Sequence, residues 1–163
     1  MSLPEIKTIM SKLSTLHESL LELSKQKTDF LKDGDTNGIQ KILLDEKKHI
    51  QAIGQLEEKR MKLTEQWFKE HAPEVTDFTI TAMMDRAPDE TDKKELNSYY
   101  ERLIMAIAEL KQQEQLNKEL TEQSLQFNGL SLYLIAPTLK TLNYGNEGKD
   151  KGSPNRSIFD SKA

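Results

Sequence analysis

The chain has 163 residues, enough for one domain, and its 36% apolar content suffices for a bundle seam but is lean for a thick globular core. Charged residues make up 31% and aromatics 6%, with seven Gly and five Pro, a composition of long solvated helices rather than sheets. The net charge of -4 gives no general attraction to nucleic acid or anionic lipid. The absence of cysteine removes disulfides, thiol nucleophiles and thiolate metal sites.

The N-terminus MSLPEIKTIM lacks the apolar region of a secretory signal, and no apolar run is long enough to cross a bilayer, so a cytoplasmic location with no membrane insertion is expected. Ser2 and Glu5 have capping-box spacing, and Pro4 sits where a missing N–H does no harm, which starts a first helix near residue 3. Ile6, Leu13 and Leu20 form one seven-residue ladder, and Ile9, Leu16, Leu23 and Phe30 form another, with Lys27 as the break. At about 2 kcal/mol for each buried aliphatic side chain, such a stripe requires cover from other helices.

Gly34 can take the left-handed C-terminal position and Asp35 can cap the next helix, so the chain reverses at residues 32–35. From Thr36 to about His71, Ile39, Ile42, Leu43, Ile50, Ile53, Leu56, Leu63 and Trp67 recur at helical steps, interrupted by Glu46, His49 and Arg60. Pro73 ends this helix. Val75, Phe78, Ile80, Met83 and Met84 then suggest a short apolar plug closing one end of a bundle.

Asp89 caps a third long helix, with Leu96, Tyr100, Leu103, Ile107, Leu110, Leu116, Leu120, Phe127, Leu130 and Leu134 on its stripe and Pro137 as its stop. At the helical rise the three rods measure roughly 43, roughly 54 and roughly 70 Å. The predicted fold is all-α, an elongated antiparallel three-helix bundle or coiled coil. If the third helix runs antiparallel to the second, about its last ten residues project past the Gly34 turn. Leu125, Phe127, Leu130, Leu132, Tyr133, Leu134 and Ile135 lie there, and an uncovered apolar patch predicts a partner. We divide the chain into a helical bundle domain, residues 1–144, and a flexible Gly-containing tail, residues 145–163.

Chemical motifs are sparse. Asp33, Asp35, Asn37 and Gly38 match half of an EF-hand calcium loop, but Leu44 occupies the place of the bidentate Glu, so an ordinary helix-turn-helix connection is the better reading. Glu46 and His49 form an E-x-x-H pair, yet a di-iron carboxylate bundle needs two such pairs and no second exists. Neither a nucleophile elbow nor a phosphate loop is visible, and Asn155-Arg156-Ser157 is a chance glycosylation match. No catalytic residue, metal site or cofactor is expected, and the chain reads as a non-enzyme.

The run from Leu20 to Leu63 resembles FlgN-type flagellar export chaperones, with their leucine-rich first helix and Gly-Asp turn at Gly34-Asp35. A Glu on the second-helix seam, Glu46, and an Arg near its end, Arg60, also match. LNKELTEQSLQFNGLSLYL resembles the family's third helix, with Asn117 at a recurrent Asn position. Tyr144-Gly145 and the closing FDSKA resemble the tail of Gram-positive members. Glu114 departs from the pattern, standing where the family often places a second Asn.

The resemblance implies a cytosolic chaperone for the hook-filament junction proteins FlgK and FlgL that delivers them to the type III export gate, with Tyr144 and the tail as gate contacts. The expected mode is helix-in-groove capture of a client's terminal helix, with Phe127, Leu130 and Leu134 as anchors and Leu125, Leu132 and Tyr133 as secondary contacts. The plain alternative for each of these residues is bundle core. The competing function is a structural coiled coil that self-associates through the same patch, and a homodimer is compatible with either.

Overall fold

The computed structural model describes residues 2–123. Those residues form four helices in the order α1 (Ser2–Asp33), α2 (Thr36–His71), α3 (Ile80–Asp85) and α4 (Glu90–Gln123). The boundary between a bundle domain and a tail at residue 144 lies outside them.

The connections follow the local chemistry. Gly34 has a φ of 68°, and Asp35 N donates to Phe30 O at 2.9 Å, closing a Schellman-type end on α1. The Asp35 carboxylate then accepts from Gly38 N at 3.0 Å and caps α2. Because α2 begins at Thr36, Asn37 and Gly38 belong to its first turn, so the half-match to a calcium loop is a helical turn. At the other end of α2, Ala72 leaves helical geometry just before Pro73. Thr79 caps α3, and Asp89 Oδ1 accepts from Asp92 N at 2.7 Å to cap α4.

Cross-links between helices fix the register. Glu5 meets Lys59, Ser19 meets His49 and Lys27 meets Glu46, so α2 runs antiparallel to α1. Lys7 meets Asp92 and Glu95, Glu18 meets Arg102 and Lys27 meets Glu114, so α4 runs parallel to α1. Both long helices pack extensively on α1 and far less on each other, which makes α1 the central rod.

That central position changes which residues of α1 are covered. Its buried seam runs Leu3, Ile6, Met10, Leu13, His17, Leu20, Ser24, Lys27 and Leu31, widened by Ile9, Ser14, Leu21 and Thr28. Leu16, Leu23 and Phe30, read from the sequence as a second ladder, are only partly buried. A rod serving two neighbours covers a broader arc than one seam, so the small and polar residues between the ladders turn inward. Lys27 is therefore one of several polar seam positions. Leu116, placed on the α4 stripe by its spacing, is 40% exposed, because Glu114 and Asn117 take the inward positions beside it.

The core is graded along its length. Toward the N-terminus of α1, Ile6, Met10, Leu13, Trp67, Phe68, Ile80, Met83, Leu96 and Leu103 pack as one apolar cluster. Ile80 and Met83 of α3 lie fully buried against it, as expected of a plug, while Phe78 is partly exposed against Phe68, with ring centroids 5.6 Å apart. Toward the Gly34 turn most buried positions become polar, Ser24, Lys27, Thr28, Glu46, Glu114, Asn117 and Thr121, with Ile42 buried among them. A small apolar cluster of Leu31 and Ile39, with Phe30, Leu43 and Leu120 against it, closes that end.

Candidate functional site

The densest chemistry among the described residues is this polar layer, assembled from three helices. Lys27 projects from α1 with its Nζ 2.7 Å from Glu46 Oε1 of α2 and 2.9 Å from Glu114 Oε1 of α4. All three side chains are almost completely buried. The two glutamates are treated differently. Glu114 Oε2 accepts from the Ser24 hydroxyl at 2.6 Å and from Asn117 Nδ2 at 3.0 Å, whereas Glu46 Oε2 has no hydrogen-bond partner among the described residues.

Asn117 also donates to Ser24 O at 2.9 Å, and the Thr28 hydroxyl accepts from Gln113. Each of these contacts joins α4 to α1, so the final three turns of α4 are held by hydrogen bonds more than by grease. Burial pushes the Glu46 carboxyl up to about 7; Lys27 opposes that shift and the Glu114 charge adds to it. A carboxylate with one cation shared between two acids keeps a proton near neutrality.

A second polar layer lies nearer the middle. His17 Nδ1 is 2.8 Å from Leu13 O, which places the ring proton on Nδ1, and Nε2 has no partner among the described residues. Burial pushes the His17 pKa down, against the Leu13 carbonyl and the Glu57 charge. Arg60 makes a two-pronged contact with Glu57 one turn away, with Nη2 to Oε1 at 2.6 Å, and both are buried.

The E-x-x-H pair is not brought together. Glu46 points to Lys27 inside the bundle, while His49 sits at its edge between Ser19 Oγ and Asp45 O. Among the described residues no group of three or more His, Cys, Asp or Glu side chains could hold a metal ion. No described helix is long and apolar enough to cross a membrane.

The client-binding residues expected from the sequence, Phe127, Leu130, Leu134, Leu125, Leu132 and Tyr133, lie outside the described residues, as does Tyr144. What the sequence reading missed is the set Ser24, Lys27, Thr28 and Glu114 acting together. The available signal was Lys27 in an apolar ladder, with one carboxylate on each of the other two stripes.

The described residues form an elongated helical bundle with a graded core, a short plug and a buried ionic layer, and the chain belongs to the FlgN protein family, whose model matches residues 1–152. That family is one of flagellar export chaperones rather than enzymes. The chain is 35% identical over 158 residues to YvyG of Bacillus subtilis (strain 168), described as an uncharacterized protein, with 94% of each chain covered. No solved structure shows a significant match to it. Three of the positions that carried the resemblance, Glu46, Arg60 and Asn117, are buried polar residues of these two layers, and Glu114, where the chain departs from the pattern, lies buried beside them.

Proposed function

We propose that this chain is a cytoplasmic chaperone of the flagellar type III export system whose clients are the hook-filament junction proteins FlgK and FlgL. Membership of the FlgN family over residues 1–152 carries the reading, since the match includes the apolar stretch from Leu125 to Ile135. The register supports it as well. Leu120 of α4 packs beside Leu31 and Ile39 at the Gly34 end of the bundle, and the most apolar segment of the sequence follows directly in the chain.

In this reading Phe127, Leu130 and Leu134 anchor an amphipathic terminal helix of the client, with Leu125, Leu132 and Tyr133 around them. Masking that helix prevents premature assembly. Tyr144 and the residues after it contact the export gate. The division into a bundle domain to residue 144 and a tail beyond it belongs to the same reading.

Titration calorimetry with purified FlgK and FlgL tests it. Wild type forms a defined complex, and Phe127→Asp, Leu130→Asp and Leu134→Asp each weaken it at least tenfold while leaving the melting temperature unchanged. Loss of folding in these variants would assign the residues to the core instead. Persistence of an oligomer on dilution without client, together with no binding, would favour a self-associating coiled coil.

A further inference from the structure

We propose that α4 from Gln113 to Gln123 is a detachable latch on the α1–α2 hairpin, opening as one unit about the buried Lys27 layer while the preceding part of α4 stays packed. The inference goes beyond the chaperone reading and does not depend on it.

The packing of α4 changes at one point. Up to Leu110 its fully buried positions are Leu96, Leu103, Ala106 and Leu110, all apolar. From Glu114 onward they are Glu114, Asn117 and Thr121, all polar, and the larger apolar side chains there are the partly exposed Leu116 and the half-buried Leu120. Removing a buried aliphatic side chain from its site forfeits its burial energy outright. A hydrogen-bonded polar group that swings into water recovers most of its interactions there, so a polar layer opens at lower cost than an apolar one.

Charge balance also survives the opening. In the closed layer the groups facing Glu46 are Lys27 from α1 and Glu114 from α4. One ammonium between two carboxylates leaves an excess negative charge unless one carboxylate holds a proton, and Glu46, with Oε2 unpartnered among the described residues, is the one that does. When α4 swings away it takes Glu114 into water, and Lys27 and Glu46 remain as a one-to-one pair on the hairpin. Glu46 then loses the Glu114 repulsion and part of its burial, and releases its proton. The closed form binds more protons than the open form, so rising pH favours opening.

If the chaperone reading holds, the latch joins the α1–α2 hairpin to the apolar stretch after Gln123, and a client engaging that stretch bears on the latch. The test needs no client. Hydrogen exchange by mass spectrometry on the full chain, divided by intrinsic exchange rates, is compared between residues 96–110 and 113–123 at pH 6 and pH 8. The latch segment exchanges at least tenfold faster than its neighbour, with all its amides sharing one opening rate. If the Glu46 carboxyl falls from about 7 to its ordinary 4.5 on opening, the opening constant rises about tenfold between the two pH values, and Glu46→Gln abolishes that rise. Equal protection of the two segments in the wild-type chain overturns the proposal, whether or not the variant folds. An undiminished pH effect in Glu46→Gln overturns the charge mechanism.

Discussion

The Lys27 ammonium lies 2.7 Å from the Glu46 carboxylate, and both side chains are withdrawn from solvent, 1% and 0% exposed. Two residues 19 positions apart, on opposite sides of the Gly34 turn, thus lock the α1–α2 hairpin in register from inside.

Breaking this contact leaves buried charge behind. Lys27→Met removes the cation shared by two carboxylates and destabilises the fold by about 3 to 5 kcal/mol in urea unfolding. Replacing all three charges by apolar residues of similar volume, in Lys27→Met with Glu46→Leu and Glu114→Leu, is neutral or stabilising by about 1 to 4 kcal/mol. A triple variant as unstable as the single one would show that the layer supplies net folding energy instead of specificity.

Glu46 also sets a pH dependence. Its folded pKa of about 7 stands above the ordinary 4.5, so between those values the folded chain binds its proton more tightly than the unfolded chain. Its contribution to stability falls as pH rises through that window and levels off above it. Between pH 5 and pH 8 wild type therefore loses about 2 to 3 kcal/mol relative to Glu46→Gln, measured as the difference between their denaturation curves. Parallel curves would show that Glu46 stays ionised throughout.

His17 works in the opposite direction. Burial lowers its folded pKa below the ordinary 6.5, so the unfolded chain binds the extra proton and stability is lost as pH falls below that value. His17→Leu removes a ring nitrogen without a partner among the described residues, and stabilises the chain by about 1 kcal/mol at neutral pH. The gain grows below pH 6. Thermal melts from pH 5 to pH 8 read both effects, and a variant less stable than wild type at pH 5 would count against them.

Two glycines answer differently to alanine. Gly34 holds a φ of +68°, and Gly34→Ala destabilises by about 1 to 2 kcal/mol through backbone strain. Gly54 is exposed inside α2, with nothing within 4 Å of an added Cβ, so Gly54→Ala stabilises by about 1 kcal/mol through helix propensity. Urea midpoints of the two variants should move to opposite sides of wild type.

The rods, their ends among the described residues and the plug were legible in the residues because caps, breakers and 3.6-residue periodicity are local, while the third helix's expected stop at Pro137 lies outside the described residues. Gly34, Asp35, Pro73 and Asp89 act within one turn of themselves, and the structure places each helix end where they stand. The order of those signals also carried the resemblance to the family that matches residues 1–152. What periodicity could not assign was the identity of the seam on a helix with two partners. His17 and Ser24 stand on neither apolar ladder, and Lys27 read as the break in one, yet all three are buried where α2 and α4 both close on α1. Whether a charged side chain is tolerated inside depends on an opposite charge arriving at the same place. Glu46 and Glu114 arrive from 19 and 87 residues away, through packing that no local preference encodes.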